Sequence, residues 1–218
     1  MDTLTRRAFI RNISVAGGAL TLGFALTGCD DPIPEGGSAQ DFIPSAHLRI
    51  APHNTLTVAL AKAAMGQGVL TGFVTVIAEE LEVDWSRVRT EHAPADRTRY
   101  GRQSTGGSTS IRTNHERLRN AGASAREMLV AAGAARWDVP ASECRAEDGQ
   151  VLHASSGRSL SYGSLADDAA LLPAPDDPAL KDPKDFQLVG KRMPRLDSPD
   201  KVDGSAMFGL DVSVPGML

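Results

Sequence analysis

Apolar and polar residues alternate along residues 47–50 and 55–60, which lie on either side of the turn-forming sequence Pro52-His53-Asn54. An alternation of period two is typical of a half-buried strand, and the turn between the two stretches predicts a β-hairpin. Residues 88–90 predict one further strand. Together these stretches predict a small sheet.

Two other stretches have the periodicity of amphipathic helices. In the first, the polar side carries Glu79 and Glu80, which we expect to face solvent. The apolar positions of this helix are Phe73, Val74, Ile77 and Leu81. The second and longer helix is predicted from about Ile111 to Arg136, where Gly122 lies beside an alanine-rich apolar stripe and would allow a neighbour to approach closely.

Shorter elements are predicted after the long helix. Strands around Cys144 and at residues 151–153 flank a turn at residues 147–149. Ser161 is placed to cap a helix that continues to Leu172, because a serine side chain can accept a hydrogen bond from the first turn of a helix.

These elements predict an α+β fold in which helices pack on a small mixed sheet, with the main domain at residues 46–172. Residues 173–195 are rich in Pro and Asp, a composition typical of a linker. Residues 196–218 are predicted to begin a second unit.

The composition narrows the class of protein. Of 218 residues, 41% are apolar and 23% are charged, which is ordinary globular usage. The formal net charge of −4 gives no positive field for nucleic acid, so no nucleic-acid partner is expected. The two cysteines exclude a zinc site of four cysteines, and the five histidines have no metal-ligand spacing, so no metal site is predicted from the side chains.

The N-terminus has the pattern of an export signal. Arg6, Arg7 and Arg11 precede an uncharged apolar stretch at residues 13–28, which is shorter than the roughly 20 residues that span a bilayer. Residues 5–11 resemble a twin-arginine signature. A short membrane helix or a buried helix is the alternative interpretation of this stretch.

The residues that follow the apolar stretch resemble a bacterial lipobox. Residues 26–29 end in Cys29, which would carry the lipid after the signal at residues 1–28 is removed. Residues 29–45 are rich in Pro, Gly and acidic residues, and predict a flexible tether. We therefore expect an exported, periplasmic lipoprotein that is anchored to the membrane surface.

Two glycine-rich loops, each placed before a predicted helix, are the candidates for ligand binding. The first glycine loop is residues 65–68 (MGQG), and the second glycine loop is residues 105–110 (TGGSTS). Glycines allow backbone N–H groups to approach a ligand, and a helix N-terminus favours a phosphate. The alternatives are a tight turn with an exposed Gln67 for the first loop and a flexible loop with a helix cap for the second.

These residues resemble a known family. The first glycine loop with Val69, residues 78–81, residues 84–89, the second glycine loop and residues 119–123 are similar to the molybdopterin-binding subunit of the xanthine oxidase family. Residues 201–218 are similar to the start of the hammerhead domain in that family. The order of the segments and the export signal resemble the isoquinoline 1-oxidoreductase beta-subunit branch, which includes exported aldehyde dehydrogenases.

The resemblance implies a function for the whole protein. It implies a molybdenum hydroxylase large subunit that oxidises an aldehyde or an N-heterocycle with water as the oxygen source. The implied cofactor is molybdenum bound to molybdopterin cytosine dinucleotide, and the implied partner is a 2Fe–2S iron–sulfur small subunit. The residues that would bind or lie near the cofactor are Gly66, Gln67, Gly68, Gly106, Gly107 and Ser108.

Two departures from the family pattern affect these expectations. The family usually has Glu before the first glycine loop, where this chain has Ala64. The glutamate that serves as the general base in the family has no counterpart in residues 1–218, so no catalytic residue is assigned and the chain alone is not expected to turn over substrate. The alternative is a non-catalytic exported lipoprotein that keeps the family scaffold as a binding module.

Overall fold

The computed structural model describes residues 20–25, 44–100 and 102–217. The larger sheet has four strands in the order β1-β2-β3-β4. Their bounds are β1 Leu20–Ala25, β2 Pro44–Ile50, β3 Leu56–Leu60 and β4 Val88–His92. The β1–β2 and β2–β3 pairs are antiparallel, whereas β3 and β4 are parallel. The predicted hairpin, the further strand and the mixed sheet are therefore confirmed.

The described residues contain five α-helices. Their bounds are α1 Val69–Leu81, α2 Arg97–Tyr100, α3 His115–Trp137, α4 Tyr162–Ala170 and α5 Ser198–Asp203. The prediction that α3 begins at Ile111 was wrong by one turn. The N–H of Asn114 bonds to the carbonyl of Ile111 at 3.0 Å, so residues 111–114 form a turn that precedes the helix.

A second sheet of three strands packs at the far end of α3. Its strands are β5 Cys144–Glu147, β6 Gln150–His153 and β7 Arg158–Ser161. The first two strands were predicted, and β7 was missed because its alternation covers only four residues. Ser161 is the N-cap of α4 as predicted, and its hydroxyl accepts from the N–H of Ser164 at 3.2 Å. The described elements therefore form an α+β fold.

Helices α1 and α3 approach each other closely at Gly122. A Cβ atom placed on Gly122 would lie 2.5 Å from the carbonyl oxygen of Ile77 and 2.8 Å from the Cβ of Glu80. No side chain fits at that distance, so only glycine permits this packing. The expectation of a close neighbour at Gly122 is confirmed.

The expectation that Glu79 and Glu80 face solvent was wrong. Glu79 is 2% exposed and Glu80 is fully buried. Arg119 pairs with Glu80 and Lys181 pairs with Glu79, so each buried carboxylate has a cationic partner inside the protein. The amphipathic pattern of α1 did not predict this burial, because the cationic partners lie on α3 and on the segment after α4.

The predicted signal and tether lie largely outside the described residues. These are residues 1–19 and 26–43, and they include Cys29. Residues 20–25 form β1 and pair with β2 from Leu20 opposite Ile50. In the part of the chain that the structure describes, no helix is both long enough and apolar enough to cross a membrane.

Candidate functional site

The first glycine loop is closed by the side chain of Gln67. Its Oε1 accepts from the N–H of Met65 at 2.6 Å, and its Nε2 donates to the carbonyl of Ala63 at 3.0 Å. Gly66 and Gly68 have φ angles of +92° and +83°, a left-handed conformation that favours glycine. The amide of Gln67 thus shapes the loop, and the backbone is left to face outwards.

The loop leads directly into the N-terminus of α1. The first hydrogen bond at this end runs from the N–H of Gly72 to the carbonyl of Gly68 at 3.0 Å. The N–H groups of residues 69–71 make no hydrogen bond to another described residue, and Gly68 provides no side-chain cap. A helix start with unpaired N–H groups carries partial positive charge and favours an anion.

The second glycine loop is folded by its own hydroxyl groups. The N–H and the hydroxyl of Thr109 both donate to the carbonyl of Gly106, at 3.4 and 3.0 Å. Gly107 and Ser108 have φ angles of +61° and +53°, and residues 106–108 are exposed. Because a serine seldom adopts a positive φ, the turn places Ser108 in a strained conformation at the surface.

The segment that precedes the first glycine loop meets the second glycine loop at Ala63 and Thr105. The hydroxyl oxygen of Thr105 accepts from the N–H of Ala63 at 3.0 Å and lies 3.3 Å from its carbonyl oxygen. Lys62 donates to the carbonyls of Arg102 and Ser104 at 2.8 and 3.2 Å. These contacts join the residues just before the first glycine loop, Lys62 and Ala63, to residues 102–105 at the start of the second glycine loop.

The backbone is open to an approaching ligand at three of the candidate glycines. A Cβ atom placed on Gly66, Gly68 or Gly106 would have nothing within 4 Å. The unpaired N–H groups of residues 69–71 supply donors beside this space. These donors and this exposed backbone suit an anionic group such as the phosphates of a dinucleotide.

Arg195 is a residue of this site that the sequence did not reveal. Its Nη1 donates to the carbonyl of Gly66 at 2.9 Å. Asp197 accepts two hydrogen bonds from the same guanidinium, at 3.0 and 2.9 Å, and a further bond from Lys201. These bonds from Arg195 and Lys201 hold the pKa of Asp197 well below its usual range. Because 129 positions separate Arg195 from Gly66, no local pattern indicates this contact.

The other side chains considered as metal ligands were the histidines. Among the residues that the structure describes, no group of three or more His, Cys, Asp and Glu side chains is arranged to hold a metal ion. His153 is buried, and its ring nitrogens lie 3.0 Å from Glu143 and 2.7 Å from Ser156. These partners flank the second sheet, so His153 stabilises the turns of that sheet.

Comparisons with known proteins show which proteins this chain resembles. The chain is similar to the isoquinoline 1-oxidoreductase subunit beta of Brevundimonas diminuta, with 32% identity over 99% of this chain and 32% of that protein. It is also similar to the membrane-bound aldehyde dehydrogenase (pyrroloquinoline-quinone) of Gluconacetobacter polyoxogenes, with 31% identity over 99% of this chain and 29% of that protein. The chain spans about a third of the length of these relatives.

Among solved structures, the Cu,Mo-CO dehydrogenase aligns with 74% of this chain and 20% of its own chain, at 19% identity and a TM-score of 0.49. The molybdopterin cofactor-binding domain family matches residues 5–214. This match covers nearly the whole chain, including both glycine loops and Arg195. The chain therefore belongs to the molybdopterin cofactor-binding domain family.

Proposed function

We propose that this chain is the cofactor-binding N-terminal part of an exported molybdenum hydroxylase large subunit. The observation that carries the proposal is the contact of Thr105, in the second glycine loop, with Ala63, just before the first glycine loop, which in turn leads into the unpaired N–H groups of α1. The membership in the molybdopterin family and the similarity to an isoquinoline 1-oxidoreductase subunit support it.

The residues of this chain bind and orient the cofactor. Gly66 and Gly68 expose their backbone, and the N–H groups of residues 69–71 would donate to a phosphate of the bound dinucleotide. Residues 106–108 approach the same ligand from the second glycine loop. Molybdenum in the bound pterin supplies the oxidation of an aldehyde or an N-heterocycle, with oxygen from water.

The cytosine dinucleotide form of the cofactor, the substrate class and the redox partner belong to the same proposal. Electrons would leave through a 2Fe–2S small subunit, as the resemblance to the family implies. Residues 5–11 support twin-arginine export, and Cys29 supports a lipid anchor on the periplasmic membrane surface.

The experiment is a chemical analysis of the native protein that contains this chain, purified from its own membranes. Molybdenum is measured by elemental analysis, and CMP is measured after acid release of the nucleotide. Pyrroloquinoline quinone is measured on the same sample, because the name of one relative includes it. We expect about one molybdenum and one CMP per chain, together with dye reduction by an aldehyde or an N-heterocycle. A folded protein that lacks molybdenum and pterin contradicts the proposal and favours the non-catalytic binding module.

A further inference from the structure

The segment at residues 179–197 is here called the strap. The buried carboxylate of Glu79 binds its middle part. That carboxylate accepts from the N–H groups of Gln187, Leu188 and Val189 at distances of 2.6 to 3.0 Å. Lys181 adds a charged hydrogen bond to it at 2.6 Å. A buried carboxylate with this many donors holds its neighbours firmly, because each unpaired group would cost a full desolvation.

Glu80 fixes the start of the strap in the same way. Its buried carboxylate accepts from Arg119 at 2.6 Å, from Arg126 at 3.2 Å and from the N–H of Lys181 at 3.0 Å. The N–H of Ala179 donates to Glu127 on α3 at 2.7 Å. The strap is thus anchored to both α1 and α3 before it turns towards the first glycine loop.

The other end of the strap lies at the start of α1. The N–H of Leu196 donates to the hydroxyl of Thr71 at 3.1 Å, and Arg195 donates to the carbonyl of Gly66. Thr71 and Glu79 are about 12 Å apart along the helix axis, given a rise of about 1.5 Å per residue. The strap therefore runs along α1 from its C-terminal end to its N-terminal end.

The contact with Gly66 sets the direction of a backbone donor. The carbonyl of Gly66 and the N–H of Gln67 belong to one planar peptide unit and point in opposite directions. Arg195 holds that carbonyl, so it also aims the N–H of Gln67, which makes no hydrogen bond to another described residue. Asp197 orients the guanidinium through two bonds.

We propose that Arg195 is a positioning residue, which holds the first glycine loop from the strap and so presents the N–H of Gln67 to an anionic ligand. The ligand part of this inference rests on the proposed function. The positioning part rests on the contacts of Arg195 alone. Through this residue, the strap would connect any domain that follows it to the first glycine loop.

The test compares three variants of the full chain by amide hydrogen exchange. Arg195→Gln removes the charged donor, and Arg195→Lys keeps one charge. Arg192→Gln is the matched control, because Arg192 is exposed on the same strap and makes no hydrogen bond or ion pair with the described residues. In Arg195→Gln we expect peptides that cover residues 62–69 to exchange about tenfold faster. Arg195→Lys should recover most of the protection, and Arg192→Gln should match the wild type.

A positioning role also requires that the change is local. Peptides from α3 should exchange at the wild-type rate in Arg195→Gln, whereas a general loss of stability would accelerate them too. Equal exchange of residues 62–69 in Arg195→Gln and Arg192→Gln overturns the proposal, and so does acceleration throughout α3.

Cofactor content separates this inference from the proposed function. In the native protein, Arg195→Gln should lower the molybdenum content at least about threefold relative to Arg192→Gln. Faster loop exchange with unchanged molybdenum content would overturn the ligand part and leave the positioning part standing. A native wild-type protein without molybdenum would remove the proposed function, and the exchange result would still decide the role of Arg195.

Discussion

The hydroxyl oxygen of Thr105 lies 3.0 Å from the backbone nitrogen of Ala63 and 3.3 Å from its carbonyl oxygen. One side chain of the second glycine loop therefore binds the backbone just before the first glycine loop, 42 positions away in the sequence. The carbonyl of Ala63 also accepts from Gln67, so the shape of the first glycine loop depends on the second. This arrangement supports the proposal that the two loops form one site.

We expect Thr105→Val to separate the two loops while it preserves the shape of the side chain. The loss of the hydroxyl leaves the N–H of Ala63 without its partner and should lower the free energy of unfolding by about 1 kcal/mol. Chemical denaturation measures this change. Thr105→Ser is the control, because it keeps the hydroxyl and should retain wild-type cofactor content in the native protein. Equal cofactor content in the valine and serine variants would contradict the joint site.

We expect an added methyl group to affect stability at Gly68 but only cofactor content at Gly106. Gly68 has a φ of +83°, so Gly68→Ala should cost about 1–2 kcal/mol of stability through backbone strain. Gly106 has no positive φ, and its Cβ position is open. Gly106→Ala should therefore keep the stability of the wild type, yet lower the cofactor content by blocking close approach to the backbone. Thermal melting and molybdenum analysis measure the two effects, and full cofactor content in Gly106→Ala would exclude Gly106 from the site.

The close contact of α1 and α3 makes Gly122 intolerant of any side chain. We expect Gly122→Ala to lower the free energy of unfolding by about 3 kcal/mol, because the new methyl group meets the backbone of Ile77 at 2.5 Å. Gly133→Ala is the comparison, since its methyl group would meet the side chain of Val151 at 2.9 Å. A side chain can shift and a backbone carbonyl cannot, so the comparison variant should lose less stability in urea denaturation. The reverse order would contradict the packing described here.

Acid should loosen the strap through Glu79. Burial raises the pKa of Glu79, but hydrogen bonds from Lys181 and from the N–H groups of residues 187–189 outweigh it and hold the pKa below its ordinary value of 4.5. A carboxyl whose pKa is lower in the folded state stabilises the fold above its unfolded pKa. That stabilisation is lost as the pH falls through the folded pKa.

Glu79→Gln tests this prediction. The variant should be less stable by about 2 kcal/mol at neutral pH, since it removes the charged hydrogen bond from Lys181, which keeps only Glu82 as an acidic partner. It should also lose stability less steeply than the wild type below pH about 4.5. Glu116→Gln is the control, because Glu116 is exposed at the start of α3. Parallel stability curves for the wild type and Glu79→Gln would rule out this role for Glu79.

The periodicity of apolar residues and the turn residues correctly predicted those elements that bury one apolar face and end at a turn or a cap residue. The hairpin of β2 and β3, helix α1 and the Ser161 cap belong to this class, since local sequence determines them. The glycine loops were also recognisable, because glycine before a helix has a local conformational reason. Their contact through Thr105 depends on tertiary packing, which no spacing encodes.

What the sequence did not reveal depends on distant partners. Glu79 and Glu80 occupy polar positions of an amphipathic pattern, but Arg119, Arg126 and Lys181 meet them inside the protein. Burial of a charge is decided by such partners and not by the pattern of its own helix. Arg195 was missed for the same reason, since its partner Gly66 lies at the opposite end of the domain sequence.

The central claim is that the two glycine loops bind one molybdopterin cofactor together. Amide hydrogen exchange of the native protein, compared with and without its cofactor, tests this claim most directly. We expect bound cofactor to protect peptides covering residues 65–71 and residues 105–110 in the same sample. Protection of only one of these segments, or of neither, would contradict it.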